Sequence, residues 1–162
     1  MVHPSDAKKK ILDCPRCRLA MVAPLQMDAF IDQCKDCRGT FFDQGEMFAA
    51  LGAKADPSYW DRPETGGVMR PGNLPCPRCH AAMLLQDVKK DELHVEIDRC
   101  SSCGGIWLDG GETNKIMAIG EKMAPVVEAE KKAYRAALDK MSDEDLSPPS
   151  LIYRFLSLFR RK

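Results

Sequence analysis

Three histidines, His3, His80 and His94, are all the imidazole in this chain of 162 residues. None of them forms a His-Glu-x-x-His element, and they read as surface residues. A Gly-rich phosphate loop and a recognisable nucleophile motif are missing too, and the expectation is a protein that is not an enzyme. No run of 18 apolar residues occurs, which leaves nothing to span a membrane. Charge of one sign is not in excess: 24 basic side chains face 24 acidic ones. A phosphate-binding surface needs a basic face, and bulk composition does not supply one. Lys8-Lys9-Lys10 with Arg16 and Arg18 leave a local basic patch open, with a short solvated charge run as the leading reading of the lysines. No apolar stretch precedes Ile11, so no secretory leader is expected. The expected compartment is the cytoplasm, where thiols stay reduced.

What the chain does have is cysteine in a strict arrangement. Its eight cysteines form four Cys-x-x-Cys pairs. Cys14/Cys17 and Cys34/Cys37 make one set of four; Cys76/Cys79 and Cys100/Cys103 make the other. Two residues between paired thiols let both sulfurs turn toward one point, and two such knuckles complete a tetrahedron of soft ligands. The knuckles are separated by 16 residues in the first set and 20 in the second, in the range of a zinc ribbon. Two Zn2+ ions are expected, with iron in rubredoxin-like four-cysteine sites as the alternative, because ligand type alone does not separate the two metals. Disulfides are the competing explanation. Cys76-Pro-Arg-Cys79-His80 also spells a haem-attachment motif, but Arg18 replaces the histidine in the sister copy. A thioredoxin-like role needs a lone reactive pair in a βαβ setting, which is absent.

The halves match beyond the cysteines. Cys14-Pro-Arg-Cys17 followed by Met21 aligns with Cys76-Pro-Arg-Cys79 followed by Met83. Ile31-Asp32-Gln33-Cys34 aligns with Ile97-Asp98-Arg99-Cys100, and Gly39, Phe41, Asp43, Gly45 and Glu46 align with Gly105, Trp107, Asp109, Gly111 and Glu112. Such self-similarity indicates a duplicated unit. At these residues the chain resembles the small bacterial proteins that carry a zinc ribbon like that of transcription factor IIB. Their pattern ends in Cys-x-x-Cys-Gly-Gly-x-Trp-Leu-Asp-x-Gly-Glu, which Cys100 to Glu112 follows closely. Cys34 to Glu46 follows it more loosely, with Arg38 in place of a glycine. The resemblance implies the ribbon fold and the metal, and little about activity.

The expected fold class is therefore a small metal-bound α+β protein: two zinc ribbons, each a three-stranded hairpin unit followed by a helix, plus a C-terminal helical extension. Each ribbon has about 40–45 residues, near the size below which a core fails without a metal or disulfides. Bound zinc contributes on the order of 10 kcal/mol to such a unit. In the second copy, 83–88 reads as a strand, 89–92 as a turn, and Leu93, Val95 and Ile97 as the inward face of the return strand. A third strand follows at 106–108. In the first copy Pro24 interrupts the first strand, Phe30-Ile31 returns, and Phe41-Phe42 follows the second knuckle. Gly39 and Gly104-Gly105 are expected where the backbone turns around sulfur. Asp43 with Glu46, and Asp109 with Glu112, have capping-box spacing at a helix start; the alternative is a paired acid/base or a second metal site.

The domains read as ribbon 1 at 11–51, a Pro/Gly-rich tether at 52–73, ribbon 2 at 74–119, a helix at 120–141, and a linker with a basic amphipathic tail at 142–162. Tyr59-Trp60 in the tether either packs on a ribbon or marks a docking surface. In the tail, Ile152, Phe155, Leu156 and Phe159 have i, i+3, i+4, i+7 spacing beside Arg154, Arg160, Arg161 and Lys162. A helix this short must bury its apolar face against the chain's own ribbons, a protein partner or an anionic membrane surface. The leading expectation is an adaptor that binds protein. Nucleic acid or transcription machinery comes second and a membrane surface third.

Overall fold

A computed structural model describes residues 11–23, 25–26, 29–56, 59–62, 65–66 and 69–139. Two compact units divide the chain, Met1–Ala124 and Pro125–Lys162. The first unit holds both four-cysteine sets and all the described strands. Its elements are β1 (Leu25–Gln26), β2 (Ala29–Phe30), β3 (Asp32–Gln33), β4 (Thr40–Phe42), α1 (Glu46–Leu51), β5 (Arg70–Pro75), β6 (Ala82–Lys90), β7 (Leu93–Arg99) and β8 (Ile106–Leu108). Helix α2 (Glu112–Leu138) begins in this unit and continues into the next. The architecture is α+β, with two metal-ribbon units, as expected.

The two ribbons are not strung on a tether. They share one antiparallel six-stranded sheet in the order β3-β4-β8-β7-β6-β5. Where the two copies meet, β4 of the first pairs with β8 of the second, in the register Thr40↔Leu108, Phe41↔Trp107 and Phe42↔Ile106. By the repeat, Thr40 corresponds to Ile106, Phe41 to Trp107 and Phe42 to Leu108. Thr40 therefore faces the counterpart of Phe42, Phe42 faces the counterpart of Thr40, and Phe41 faces its own counterpart, which is the pairing of a two-fold dimer built within one chain. The symmetry extends outward. Asp32↔Phe41 in the first copy matches Asp98↔Trp107 in the second, and the bridge Val22↔Gln33 matches Leu84↔Arg99. Likewise Asp13↔Ala20 matches Pro75↔Ala82.

Aromatic packing holds this arrangement together. Phe41 and Trp107 are fully buried, and Met21, Met83, Leu12 and the buried cysteines Cys14, Cys34, Cys76 and Cys100 cluster with them. An aromatic of this size removes ~150–250 Å2 from water, several kcal/mol at ~25 cal/mol per Å2. Each ring lies against the other copy's glycine. A Cβ on Gly39 would sit 2.2 Å from Trp107 Cζ2, and one on Gly105 would sit 2.4 Å from Phe41 Cζ. Besides lying in the turn around sulfur, where Gly39 O and Gly105 O accept from Cys34 N and Cys100 N, these two glycines make room for the partner ring.

Among the described residues of 52–73, several are packed, contrary to the tether reading. Ala53–Ala55 form a 3-10 turn, and Ala55, Tyr59, Trp60 and Thr65 are buried. Thr65 Oγ1 donates to Trp60 O at 3.0 Å, and Lys89 N donates to Thr65 O at 2.9 Å. Gln86 and Arg99 both donate to Asp61, and Lys54 Nζ reaches Glu121 at 2.7 Å. The last part of the supposed tether is edge strand β5, where Pro71 and Pro75 suit an edge that needs few donors. The burial of Tyr59-Trp60 agrees with their packing role.

In the second copy the strands and the turn fall close to expectation, with β6 and β7 forming one long hairpin. In the first copy the corresponding stretch is split into the two-residue strands β1, β2 and β3. Helix α2 runs unbroken through the expected boundary at 119/120, with Pro125 inside it. Ile116, Ile119 and Met123 bury one side of its first turns. In the second unit every described residue from 128 to 139 is exposed. Ile152, Phe155, Leu156 and Phe159 lie outside the described residues.

Gly39→Ala and Gly105→Ala should each lower the stability of the zinc-loaded chain by ~1–3 kcal/mol, the usual cost of overpacking. Denaturant unfolding checks this, and an unchanged midpoint in both variants would refute the ring-on-glycine account.

Candidate metal centres

Each Cys-x-x-Cys pair folds the same way, and backbone hydrogen bonding is the reason. The amide one residue past the second cysteine donates back to the carbonyl of the first: Arg18 to Cys14 (2.8 Å), Arg38 to Cys34 (3.1 Å), His80 to Cys76 (2.9 Å) and Gly104 to Cys100 (2.9 Å). The first cysteine's own amide then donates to the carbonyl one residue further on, at Leu19, Gly39, Ala81 and Gly105. Closing so tight a loop drives the residue after the second cysteine into the left-handed region, with φ of 60° at Arg18, 59° at Arg38, 63° at His80 and 72° at Gly104. Glycine does this without penalty; a side chain there costs ~1–2 kcal/mol. Here lies the physical meaning of Arg38 standing where the repeat has Gly104.

The knuckles bring all eight sequence-identified ligands together in two groups. Within each group the four sulfurs lie within 4.8 Å of one another. Cys14 and Cys37 Sγ are 3.6 Å apart, Cys76 and Cys103 3.6 Å, and Cys79 and Cys100 3.4 Å. A tetrahedral ion with ~2.3 Å Zn–S bonds sets sulfurs ~3.8 Å apart, whereas a disulfide needs ~2.0 Å. The donor set fits zinc, and all eight cysteines are unbridged. A backbone amide also supports sulfur: Cys17 N donates to Cys14 Sγ at 3.3 Å. In the metal-free thiol state, burial pushes Cys76 up. Burial also acts to raise Cys34, but the amides of Cys37 and Asp36 and the neighbouring thiols outweigh it and bring Cys34 down to about 7. Cys79 falls to about 7 through the Ala81 amide and the Cys100 thiol. Each set thus has one thiol poised to ionise near neutrality, and ionised sulfur is the form that takes up metal.

A chain of charge surrounds the two centres and also obeys the two-fold relation. Arg16, inside the first knuckle of copy one, makes a bidentate ion pair with Asp109 of copy two. Arg78, its counterpart, makes one with Asp43 of copy one at 2.9 and 2.5 Å. The aspartates expected to cap helices are therefore engaged across the interface, and Asp109 also accepts from Trp107 Nε1 at 2.9 Å. The glutamates act as expected: Glu46 Oε2 accepts from Asp43 N at 2.9 Å and Glu112 Oε2 from Asp109 N at 2.8 Å. No side chain caps α1 at Gly45. Behind these pairs Asp32 and Asp98 are buried counterparts. Asp32 lies 3.7 Å from Arg78. Burial pushes Asp98 up to about 6, with Arg16 pulling the other way. Repeat alignment could have flagged the arginines, since both knuckles read Cys-Pro-Arg-Cys, but the sequence contains no cue to their partners.

His80 and His94 join neither centre, and His3 lies outside the described residues. His80 holds the left-handed knuckle position, and His94 Nε2 meets Asp87 at 2.7 Å. Asp87, His94 and Glu96 do cluster, but the Arg70 guanidinium already binds both carboxylates there.

The transcription factor IIB-type zinc ribbon family, described as a transcription factor zinc-finger, matches residues 13–51 and 75–119, together more than half of the chain. This protein belongs to that family, and it carries two ribbons with one Zn2+ site each. No curated protein and no solved structure matches.

Elemental analysis should return two zinc ions per chain, and stripping them with a strong chelator should abolish tertiary structure. Iron in quantity, or a near-UV spectrum that survives chelation, would overturn the assignment. Arg38→Gly should raise the stability of the zinc-loaded chain by ~0.5–1 kcal/mol by relieving the left-handed side chain; a lowered melting midpoint would show that Arg38 contributes contacts that outweigh its strain.

Proposed function

We propose that the chain is a non-enzymatic adaptor whose paired ribbons present a rigid surface to a protein partner in a reducing, cytoplasmic setting. Closed metal centres support the absence of catalysis. Four thiolates complete each coordination shell, whereas a catalytic zinc keeps a position for water. The observation that carries the protein-binding reading is a break in the internal symmetry. Ile11 and Leu19, on the first hairpin of copy one, are 71% and 54% exposed, and their counterparts in copy two are Asn73 and Ala81. Two apolar side chains have been placed in water on one half of an otherwise matched pair. Phe48, on α1, adds a third at 50%. Exposed apolar side chains on a rigid frame suit a protein partner better than a phosphate backbone.

Nucleic-acid or transcription-machinery binding is the second reading, favoured by the family. Against direct phosphate contact, many of the described cations are already neutralised within the chain. Arg16, Lys54, Arg70, Arg78, Arg99, Lys122 and Lys131 each pair with a carboxylate. Membrane-surface association would rest on the tail alone; no described helix is long and apolar enough to cross a membrane.

Cross-linking of the full chain in native lysate, with the partner identified by mass spectrometry, should give a protein whose capture falls at least tenfold in Ile11→Asp/Leu19→Asp while zinc content stays at two. Binding of labelled DNA or RNA that is tight at low salt and falls steeply toward physiological salt, unchanged by those substitutions, would reverse the order of the two readings.

A further inference from the structure

We propose that the two zinc centres fill and empty as one coupled unit, because each ribbon completes the other's fold rather than its own. The argument starts from which contacts a single ribbon can satisfy by itself. Its four thiols and its knuckle amides are local. Its buried aromatic is not: Phe41 lies on Gly105, beside Cys103, and Trp107 lies on Gly39, between Arg38 and Thr40. The Cβ position of Gly105 is 2.4 Å from Phe41 Cζ and 3.4 Å from Cys103 Sγ, so the ring of one copy and a ligand sulfur of the other flank the same glycine. The arginine within each first knuckle likewise ends on the aspartate that follows the other copy's third strand. Even Gly110 backs onto the Cys37 carbonyl, and Gln44 onto Gly104.

Metal binding is the step that orders a ribbon. When the first ion orders Cys76, Cys79, Cys100 and Cys103, it also fixes Trp107, Asp109 and Arg78 in the places where copy one needs them. The second ion then binds a partly organised partner and meets a smaller ordering cost, which is positive coupling between sites. The interaction is reciprocal by thermodynamic necessity, so loss of either ion weakens the other. Coupling also lets the second centre support the first, whose knuckles carry a strained Arg38 and an Asp36 carboxylate 3.4 Å from Cys17 Sγ.

The test is zinc titration of the reduced, metal-free full chain in a chelator-buffered series, followed by native mass spectrometry of the zero-, one- and two-zinc forms. Independent sites, equal or unequal, leave at least about half the chains with one ion at half-saturation, whereas ~100-fold coupling leaves about a tenth. A one-zinc fraction below about a quarter, corresponding to ~10-fold coupling, supports the proposal, and a fraction at or above that value overturns it. Cys14→Ser/Cys17→Ser gives a second measurement. The zinc affinity of the intact second centre should fall at least tenfold, by competition with a chromogenic chelator, and an affinity within twofold of the native value would sink the idea. The titration uses unmodified protein, so misfolding of the variant cannot decide the outcome alone.

Discussion

Sulfur tetrahedra are the constraint from which the rest of this structure follows. To aim two thiols at one ion across two intervening residues, the backbone must close a tight loop with its own amides and swing the next residue left-handed. That geometry recurs four times with the same hydrogen bonds, whatever the side chains. It leaves each ribbon with a short strand carrying a large aromatic just past the second knuckle and no core of its own deep enough to cover it. The remedy is the second copy. Pairing β4 with β8 buries both rings at once, and area decides the matter: two fully buried aromatics outweigh the flanking ion pairs, which at partial exposure contribute ~0–1 kcal/mol each. The arginine–aspartate pairs fix register more than they add stability.

Local chemistry was legible in the sequence, and long-range pairing was not. Ligand spacing is set by a few residues of backbone, so all eight cysteines could be assigned to two sets from spacing alone. The second hairpin alternates cleanly enough to locate its strands. The β4–β8 pairing carries no such signal. Thr40–Phe42 and Ile106–Leu108 are three residues long and buried throughout, so neither length nor alternation names a partner. Asp43 and Asp109 were misleading for a related reason. Their spacing to Glu46 and Glu112 is that of a helix start, which is true of the glutamates, yet the aspartate side chains reach arginines 35 and 93 residues away. The stretch 52–73 looked like a tether because proline and glycine dominate its composition. A handful of buried groups, Ala55, Tyr59, Trp60 and Thr65, suffices to fasten it.

Duplication within one chain removes a restriction that a true dimer obeys. In an isologous dimer every surface residue appears twice, so any apolar docking face is doubled and invites self-association. Here the matched interior has been kept while the outside has diverged. Ile11 and Leu19 face water on one copy, and Asn73 and Ala81 take their places on the other. Copy two has the longer hairpin and the long helix α2; copy one has the split strands and the short α1. Divergence of this kind is open to a duplicated chain and closed to an isologous dimer, whose two surfaces must change together.

The internal division of labour also bears on how such a frame responds to its surroundings. Cys79 is exposed while its three companions are more buried, so oxidants reach the second centre through one sulfur. If the centres were independent, attack there would cost one ion and leave copy one with its exposed apolar pair intact. Because Trp107 and Arg78 support copy one from across the sheet, losing the second ion withdraws the ring from Gly39 and the cation from Asp43 at the same time. Ile11 and Leu19 then lose the scaffold that holds them, although neither has reacted. Coupling through the β4–β8 seam therefore ties the order of both copies to the reduced, metal-bound state of both centres.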